Sequence, residues 1–531
     1  MSRHSLSMLR CSLVALVALL VALAAGSGGQ GLAAAITVTK TADTADGTCN
    51  ADCSLREAII AANAAAGADT ITVPAGTYTL TIAGTGEDAA ADGDLDVTDD
   101  VTVTGAGAGT TTIDGNGGVT GEGALQVLAT NARLADLTIT NGGASRGGGI
   151  HNLDWSSVGS LILTNVTVSS NAAFNGAGIA NDGGTLTINN STISGNATTG
   201  NSGGGIVNDS GTLVLNDSTV SGNSTTSANR PGGGIANFGG TVTATNSAIS
   251  GNTATGDGGG IYNADGEGGP PGPLTLTNVT ITGNTAGGDG GGLFMFGDGT
   301  ITNTTVSGNT SEQFDSGGGV WVIGNLSLLN VTVADNAANI FAPRVSANAL
   351  GEPIVVGGGI FNADANVTVK NTIIANNEGG DCGGGVTSDG HNLDSDGTCA
   401  FAGTGDQSGV DPLLAALALN APGSTETHAL TAESPAIDTA DNTGCPSTDQ
   451  RGTTRPQGPR CDIGAYELSV QQPTPTPAPT PTPTAVPIQL PPTGGQPASG
   501  DGGMTLAVAL AAAAIGLAGV GGALVAVRRR R

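Results

Sequence analysis

The chain has 531 residues, 90 of them glycine, with 2% aromatic residues, 11% charged residues and a formal net charge of −28. So acidic a surface excludes a nucleic-acid partner held through its phosphates, and an anionic lipid surface as partner of the ectodomain. The usual length prior suggests about three or four domains, but a chain that grows by stacking repeats does not obey it.

Residues 1–35 read as an export signal. Arg3 and Arg10 make a basic start, Leu13 to Ala25 an apolar run, and Ala33-Ala34-Ala35 a small-residue cleavage site. Residues 36–68 come next as an N-terminal cap. In Cys53-Ser54-Leu55-Arg56-Glu57-Ala58, Ser54 with Glu57 three residues on forms a capping box. The spacing predicts a helix from Leu55 to about Ala65, placed over the open N-terminal end of the repeats that begin at residue 69. Asp92, Asp94 and Asp96 alternate in Asp92-Gly93-Asp94-Leu95-Asp96-Val97. Their oxygens offer calcium a ligand set, or they form an acidic strand with Leu95 and Val97 inward.

Residues 69–380 carry a repeat of ~27 residues, a period that means a solenoid. It is cleanest at Gly203-Gly204-Gly205-Ile206-Val207-Asn208, then Thr212-Leu213-Val214-Leu215, then Ser218-Thr219-Val220-Ser221-Gly222-Asn223. Each of the three runs alternates apolar and polar residues with period 2, which is strand periodicity. The third run has an inward column of Val168, Ile193, Val220, Ile249, Ile281, Val306, Val333 and Ile374. Its outward neighbours are mostly Thr. Asn closes the run at 171, 196, 223, 252, 284, 309, 336 and 377, where stacked amides can bond from coil to coil and tolerate left-handed backbone. The pattern predicts an all-β fold: a right-handed parallel β-helix with three strands per coil, a short N-terminal capping helix and a C-terminal transmembrane helix. A β-sandwich of hairpins lacks the turn spacing it needs.

Cys49, Cys53, Cys382, Cys399, Cys445 and Cys461 fall in three local couples after the leader, which reads as three disulfides and an oxidising compartment. Residues 381–468 form a C-terminal cap whose Arg and Asp residues are expected to close the lower end of the solenoid.

Cys53-Ser54-Leu55-Arg56-Glu57-Ala58 resembles the CSLREA motif of exported bacterial β-helix proteins. The G-G-G-I-x-N and S-G-N repeats resemble pectate-lyase-like right-handed β-helices, including the noncatalytic polymorphic outer-membrane type. Asp389-Gly390-His391-Asn392-Leu393, Ser434-Pro435-Ala436-Ile437-Asp438, Asp449-Gln450-Arg451-Gly452 and Cys461-Asp462-Ile463-Gly464-Ala465-Tyr466-Glu467 resemble a choice-of-anchor domain. These resemblances imply architecture and export, and little about activity.

Residues 469–489 are a Pro/Thr-rich stalk with polyproline II character. Residues 490–531 hold Leu490, Pro491, Pro492, Thr493 and Gly494, then the charge-free run Leu506 to Val527, then Arg528 to Arg531. The run is long enough to span a bilayer. Pentapeptide, span and basic tail in this order resemble a sorting signal of the LPXTG type, which implies attachment to the cell envelope by sortase; retention as a plain membrane anchor is the alternative.

For function, the outward columns are mostly Thr, Ser and Asn. Asp182, Asp209, Asp265, Asp298 and Asp364 read as turn residues, and Arg133, Arg146, Arg230, Arg344, Lys370, His151, His391 and His428 show no catalytic spacing. One outward column reads His151, Ala180, Val207, Ala236, Tyr262, Phe294, Trp321, Phe361. Tyr262, Phe294, Trp321 and Phe361 would form an aromatic stripe suited to sugar rings or apolar partners, unless the insert Ile340 to Val356 or the C-terminal cap covers them. The reading is a noncatalytic surface protein acting in adhesion, surface structure or glycan binding, with an extracellular glycan or surface protein as partner. No cofactor is required by it, calcium at Asp92–Asp96 apart. The alternative is an extracellular polysaccharide lyase or glycoside hydrolase, which needs outward carboxylates beside a basic residue. Flat Thr ladders can also match ice, but no repeated Thr-x-Thr lies on one regular strand.

Overall fold

The computed structural model describes residues 33–153, 159–266, 270–313, 316–338 and 357–469. Most of the export signal, the insert Ile340 to Val356, the stalk, Leu490 to Gly494 and Leu506 to Val527 lie outside the described residues. Among the described residues no helix is long and apolar enough to cross a membrane.

Local sequence explains each coil. In Thr212–Asn216 the leucines point inward and the polar residues outward, and Thr219–Ser221 repeats the alternation around Val220. Between these two strands the chain turns through one left-handed residue. The column at that position is Asp136, Asn165, Asn190, Asp217, Asn246, Asn278, Asn303, Asn330 and Asn371, with φ between 46° and 57°. Asn and Asp tolerate this conformation because their short side chains bond locally.

Successive coils pair in parallel and in register: Leu186 faces Leu213, Leu213 faces Val242, and Val242 faces Leu274. The Gly-rich strands stack into an eleven-stranded sheet, and the second and third runs share a twenty-four-stranded one. The protein is thus a parallel β-solenoid. Each regular coil carries a fourth strand that the periodicity did not disclose. It follows the closing Asn, has four residues in Ala172–Asn175 but only two from Ala197–Thr198 and Ser224–Thr225 onward, and belongs to an eight-stranded sheet. Two residues are too few to show an alternation.

The inward column from Val168 to Ile374 is fully buried, within one continuous apolar cluster that runs the length of the solenoid. Burying each such side chain contributes about 1.5–3 kcal/mol. The Asn column forms a ladder. Each Nδ2 donates to the next coil's Oδ1 at 2.9–3.0 Å, from Asn171 through Asn377. The left-handed residue at this corner is not the Asn but its predecessor, such as Gly195, Gly222 and Gly251. A second ladder links Asn152, Asn181, Asn208, Asn237 and Asn263 at 2.6 Å, and stops where Met295 and Val322 take the position. Glycine is required where coils meet most closely: a Cβ on Gly205 would stand 2.6 Å from Gly234 O and 2.9 Å from Asn223 Nδ2.

The helix Leu55–Ala64 has both bonds of the predicted capping box, and its face of Leu55, Ala58, Ile59 and Ala62 joins the solenoid core. Cys49–Cys53, Cys382–Cys399 and Cys445–Cys461 form the three local disulfides, which point to an extracellular protein.

The position of the C-terminal segment differs from expectation. Residues beyond about 410 do not simply close the end; they turn back along the flank. Glu426 O accepts from Thr280, Gln450 Oε1 from Thr305, and Thr332 Oγ1 from the Ala465 N–H. The outward threonines 280, 305 and 332 are therefore buried. A polar outward column hides its partner when that partner is itself polar and comes from a distant part of the chain.

Candidate functional site

The outward column of the Gly-rich sheet is in register from His151 to Phe361. Ala180, Val207 and Ala236 are buried under glycine turns; a Cβ on Gly232, for example, would lie 2.5 Å from the Ala236 Cβ. Tyr262, Phe294, Trp321 and Phe361 are half-buried. The first three of these rings stack on one another. Tyr262 and Phe294 have centroids 4.9 Å apart at 18°, Phe294 and Trp321 4.4 Å apart at 9°, and Phe238 leans on Tyr262 at 5.6 Å. Both faces of Phe294 are thus taken by neighbours, which leaves its edge rather than a face toward the outside. Each stacked pair contributes about 0.5–1.5 kcal/mol beyond its burial.

On the twenty-four-stranded sheet an open groove of about 310 Å³ crosses four coils. Thr275, Thr300, Ser327 and Thr368 are its rungs, in register, with Asp298, Asn325 and Asn366 along one edge. Asn325 Nδ2 donates to Asp298 Oδ1 at 2.7 Å, so that carboxylate is already engaged. The other polar side chains of the lining are hydroxyls and amides, which suit a neutral polar polymer, and Pro273, Leu274, Gly299 and Leu326 complete it.

A charged cluster that the residue spacing did not single out sits at the far end of the aromatic column. Arg146 donates through Nε and Nη2 to both oxygens of Asp182, and through Nη2 to Asp209 at 3.1 Å. His151 Nε2 lies 2.9 Å from Asp182 Oδ2. Burial pushes the Asp182 carboxyl up, but the bonds from His151 and Arg146 outweigh it and hold the carboxyl below its ordinary range. The cluster was legible in principle, because Asp182 pairs in register with Leu153 and with Asp209. It holds three successive coils together. A carboxylate so stabilised cannot serve as a general acid, and the arginine is spent on the protein's own acids.

Asp92, Asp94 and Asp96 are not among the described residues that gather three ligand atoms within 4.8 Å. The cation in their loop is Arg56, whose guanidinium donates to the carbonyls of Ala90, Asp92, Gly93 and Asp94 and pairs with Asp43 at 2.7 Å. Asp94 and Asp96 are buried, and among the described residues neither carboxylate forms an ion pair. Burial, Asp96 and Glu122 push Asp94 up; burial, against the Ala90 N–H and with Glu87, Asp88 and Glu122, takes Asp96 to about 7.

Two acids of the C-terminal segment, Asp449 and Glu467, are held by arginines. Asp449 is bound by Arg451 through Nε and Nη2, and the Arg451 guanidinium lies 3.5 Å from the centre of the Tyr466 ring. Arg455 is buried against Glu467 at 3.5 Å and donates to the carbonyls of Asp462 and Gly464.

No protein-family model matches the sequence, and no curated protein matches it. Among solved structures, the crystal structure of pectate lyase Pel9A is similar at 17% identity and a TM-score of 0.39, covering 83% of this chain and 97% of that one. A mannuronic acid specific polysaccharide family 6 lyase from human gut microbiota is similar at 11% identity and 0.32, over 61% and 75%. The A-module of the Azotobacter vinelandii mannuronan C-5 epimerase AlgE4 is similar at 18% identity and 0.30, over 64% and 85%. At these values the likenesses carry no statement about activity.

Proposed function

We propose that the chain is an exported, surface-held, noncatalytic right-handed β-solenoid that contacts a neutral extracellular glycan along the groove of Thr275, Thr300, Ser327 and Thr368. The observation that carries this reading is the groove itself: hydroxyl and amide groups repeat from coil to coil on an open face. Such a lining recognises a regular polar polymer by hydrogen bonds and asks for no ion pair. The leader, the Pro/Thr stalk and the sequence from Leu490 to Arg531 support display outside the cell, held by a sortase-type linkage or by the apolar run. Tyr262, Phe294, Trp321 and Phe361 border the Gly-rich face as a ledge of ring edges for a glycan or a surface protein.

A polysaccharide lyase or hydrolase is the second reading, and the contact of His151 with Asp182 beside Arg146 is what favours it. One experiment separates the two. The purified chain is incubated with neutral and acidic polysaccharides, with and without calcium, and polymer mass is followed by light scattering on a sizing column. Intact neutral polymer co-eluting with the protein, and released by Ser327→Arg, supports the binding role. Shortened polymer, abolished by His151→Ala, overturns it in favour of the enzyme. A chain that neither shortens nor retains any polymer rejects both.

A further inference from the structure

Near the C-terminal end of the solenoid, one strand short of Gln407–Ser408, lie three carboxylates that the proposed function does not use. Asp381, Asp394 and Asp396 each bring one oxygen to within 4.8 Å of the others. Their placement follows from the fold. Ile374, the last of the inward column, pairs in register with Asp394, so an acid continues a stack of valines and isoleucines. Asp381 stands at the end of the Asn ladder, where its Oδ1 accepts from the Asn377 backbone N–H at 3.2 Å and from Nδ2 at 2.9 Å. The Cys382–Cys399 disulfide joins the two segments, and Thr398 Oγ1 accepts from the Cys382 N–H at 3.0 Å.

Two of the three acids are inaccessible: Asp381 and Asp394 are each 0% exposed. The contents of the site differ from those of an ordinary turn of aspartates. Asp381 Oδ2 accepts from Ser395 N and Oγ and from Asp396 N, and Asp396 accepts from Thr398 and from Asp381 N. Asp394 has no such bonds. Neither of its oxygens has a hydrogen-bond partner. The Ser408 hydroxyl and the N–H groups of Cys399 and Gly397 are near it, but none reaches it with bonding geometry. Among the described residues no Lys, Arg or His forms an ion pair with any of the three. A buried carboxylate with neither donor nor counter-ion is costly, because it has lost its water and gained nothing in exchange.

We propose that Asp381, Asp394 and Asp396 bind a calcium ion that closes the C-terminal end of the solenoid. The three gathered ligand atoms are carboxylate oxygens, and both nearby cysteines are locked in the disulfide; such a set selects a hard cation. Calcium binds oxygen at about 2.3–2.6 Å, so two oxygens on one ion stand at most about 5 Å apart, which the trio satisfies. Magnesium, at about 2.0–2.1 Å in a near-ideal octahedron, requires a tighter set. Asp396 is exposed and forms the rim through which the ion enters, with water completing the shell. The ion neutralises Asp394 in place and ties the coil containing Asp381 to the one containing Asp394. Burial raises the carboxyls of both, which a bound cation would reverse.

The test uses the purified full chain, stripped with chelator and titrated with calcium chloride in a calorimeter at physiological salt with excess magnesium, which suppresses diffuse binding to the acidic surface. Wild type is expected to bind one ion with a sharp heat, and calcium is expected to raise the melting temperature. Asp394→Asn and Asp396→Asn each weaken the binding at least tenfold. Asp396 is exposed, so its variant folds even if that of Asp394 does not. Absence of saturable binding in wild type overturns the proposal. So does binding that survives in Asp396→Asn but disappears in Asp94→Asn, which places the ion at the other end of the molecule.

Discussion

The Nδ2 of Asn377 donates to Asp381 Oδ1 at 2.9 Å, and with that bond a row of eight stacked asparagines ends on a carboxylate. Each amide accepts from the coil before it and donates to the coil after it. The amide dipoles therefore add, with their positive ends toward Asp381. An acid in this place completes the ladder as an acidic residue completes the N-terminus of a helix, by meeting N–H groups with negative charge. The same bonds fix register, because a one-residue slip would send every amide to the wrong face.

A mid-ladder substitution tests that role. Asn252→Leu leaves the Asn223 N–H and Nδ2 without their acceptor and takes a donor from the Val220 carbonyl and from the Asn284 Oδ1, which keeps only the residue 252 N–H. A loss of about 3 kcal/mol is expected, since each buried polar group left unpaired costs about 1–3 kcal/mol and part of this relaxes. Hydrogen exchange should show the loss concentrated in the neighbouring coils, because a solenoid transmits stability through nearest neighbours.

Arg56→Met should unfold the N-terminal region selectively. The guanidinium is fully buried and serves four carbonyls and Asp43, so its removal takes a donor from each carbonyl and the counter-ion from Asp43, which keeps only the N–H groups of Thr81 and Ile82. A loss of about 3–5 kcal/mol is expected, with Arg56→Lys rescuing little because one ammonium cannot reproduce the planar fork. Limited proteolysis between Gly84 and Asp96 reads the effect, and wild-type resistance in the Lys variant would contradict it.

The two ends of the pH scale should act oppositely on this region. Burial raises the Glu57 carboxyl, but the N–H groups of Ser54 and Asp46, the Thr44 hydroxyl and Lys40 overcome that and hold it at about 2. Its folded value is lowered, so its contribution is present above about pH 4 and is lost as pH falls toward 2. The folded value of Asp96 is raised to about 7. Its folded form holds the proton more tightly, so stability falls as pH rises from about 4 to about 7. Thermal melts should peak near the bottom of that window, and Asp96→Asn should flatten the neutral slope.

The aromatic column should behave as packing first. Phe294→Ala removes the centre of the Tyr262–Phe294–Trp321 stack and is expected to cost about 2–3 kcal/mol, less than for a fully buried ring. Loss of glycan retention without any change in stability would instead make the ring a ligand contact, and a denaturant midpoint measured beside the sizing column separates these outcomes.

Much of the architecture was legible because a solenoid writes its fold locally. Alternation within Leu213-Val214-Leu215, the β-branched column around Val220, the closing asparagines and the capping box at Ser54 and Glu57 each act over a few residues, and stacking then repeats them. The two-residue fourth strand was too short to carry a period. The Arg146–Asp182–Asp209 contact was missed because its members lie on three different coils, and the two aspartates, taken singly, suit a turn.

What the sequence determined by itself was therefore the coil: which residues face inward, where it turns, and how many local disulfides staple it. Tertiary structure alone decided what meets the outside of that coil. Thr280, Thr305 and Thr332 look solvent-facing in sequence but are buried by a segment more than a hundred residues away, because polar surfaces can pair as fully as apolar ones and leave no mark in hydropathy. Likewise Asp394 reads as one more aspartate in a turn, and only its place beneath Ile374 makes it a buried charge in need of a partner.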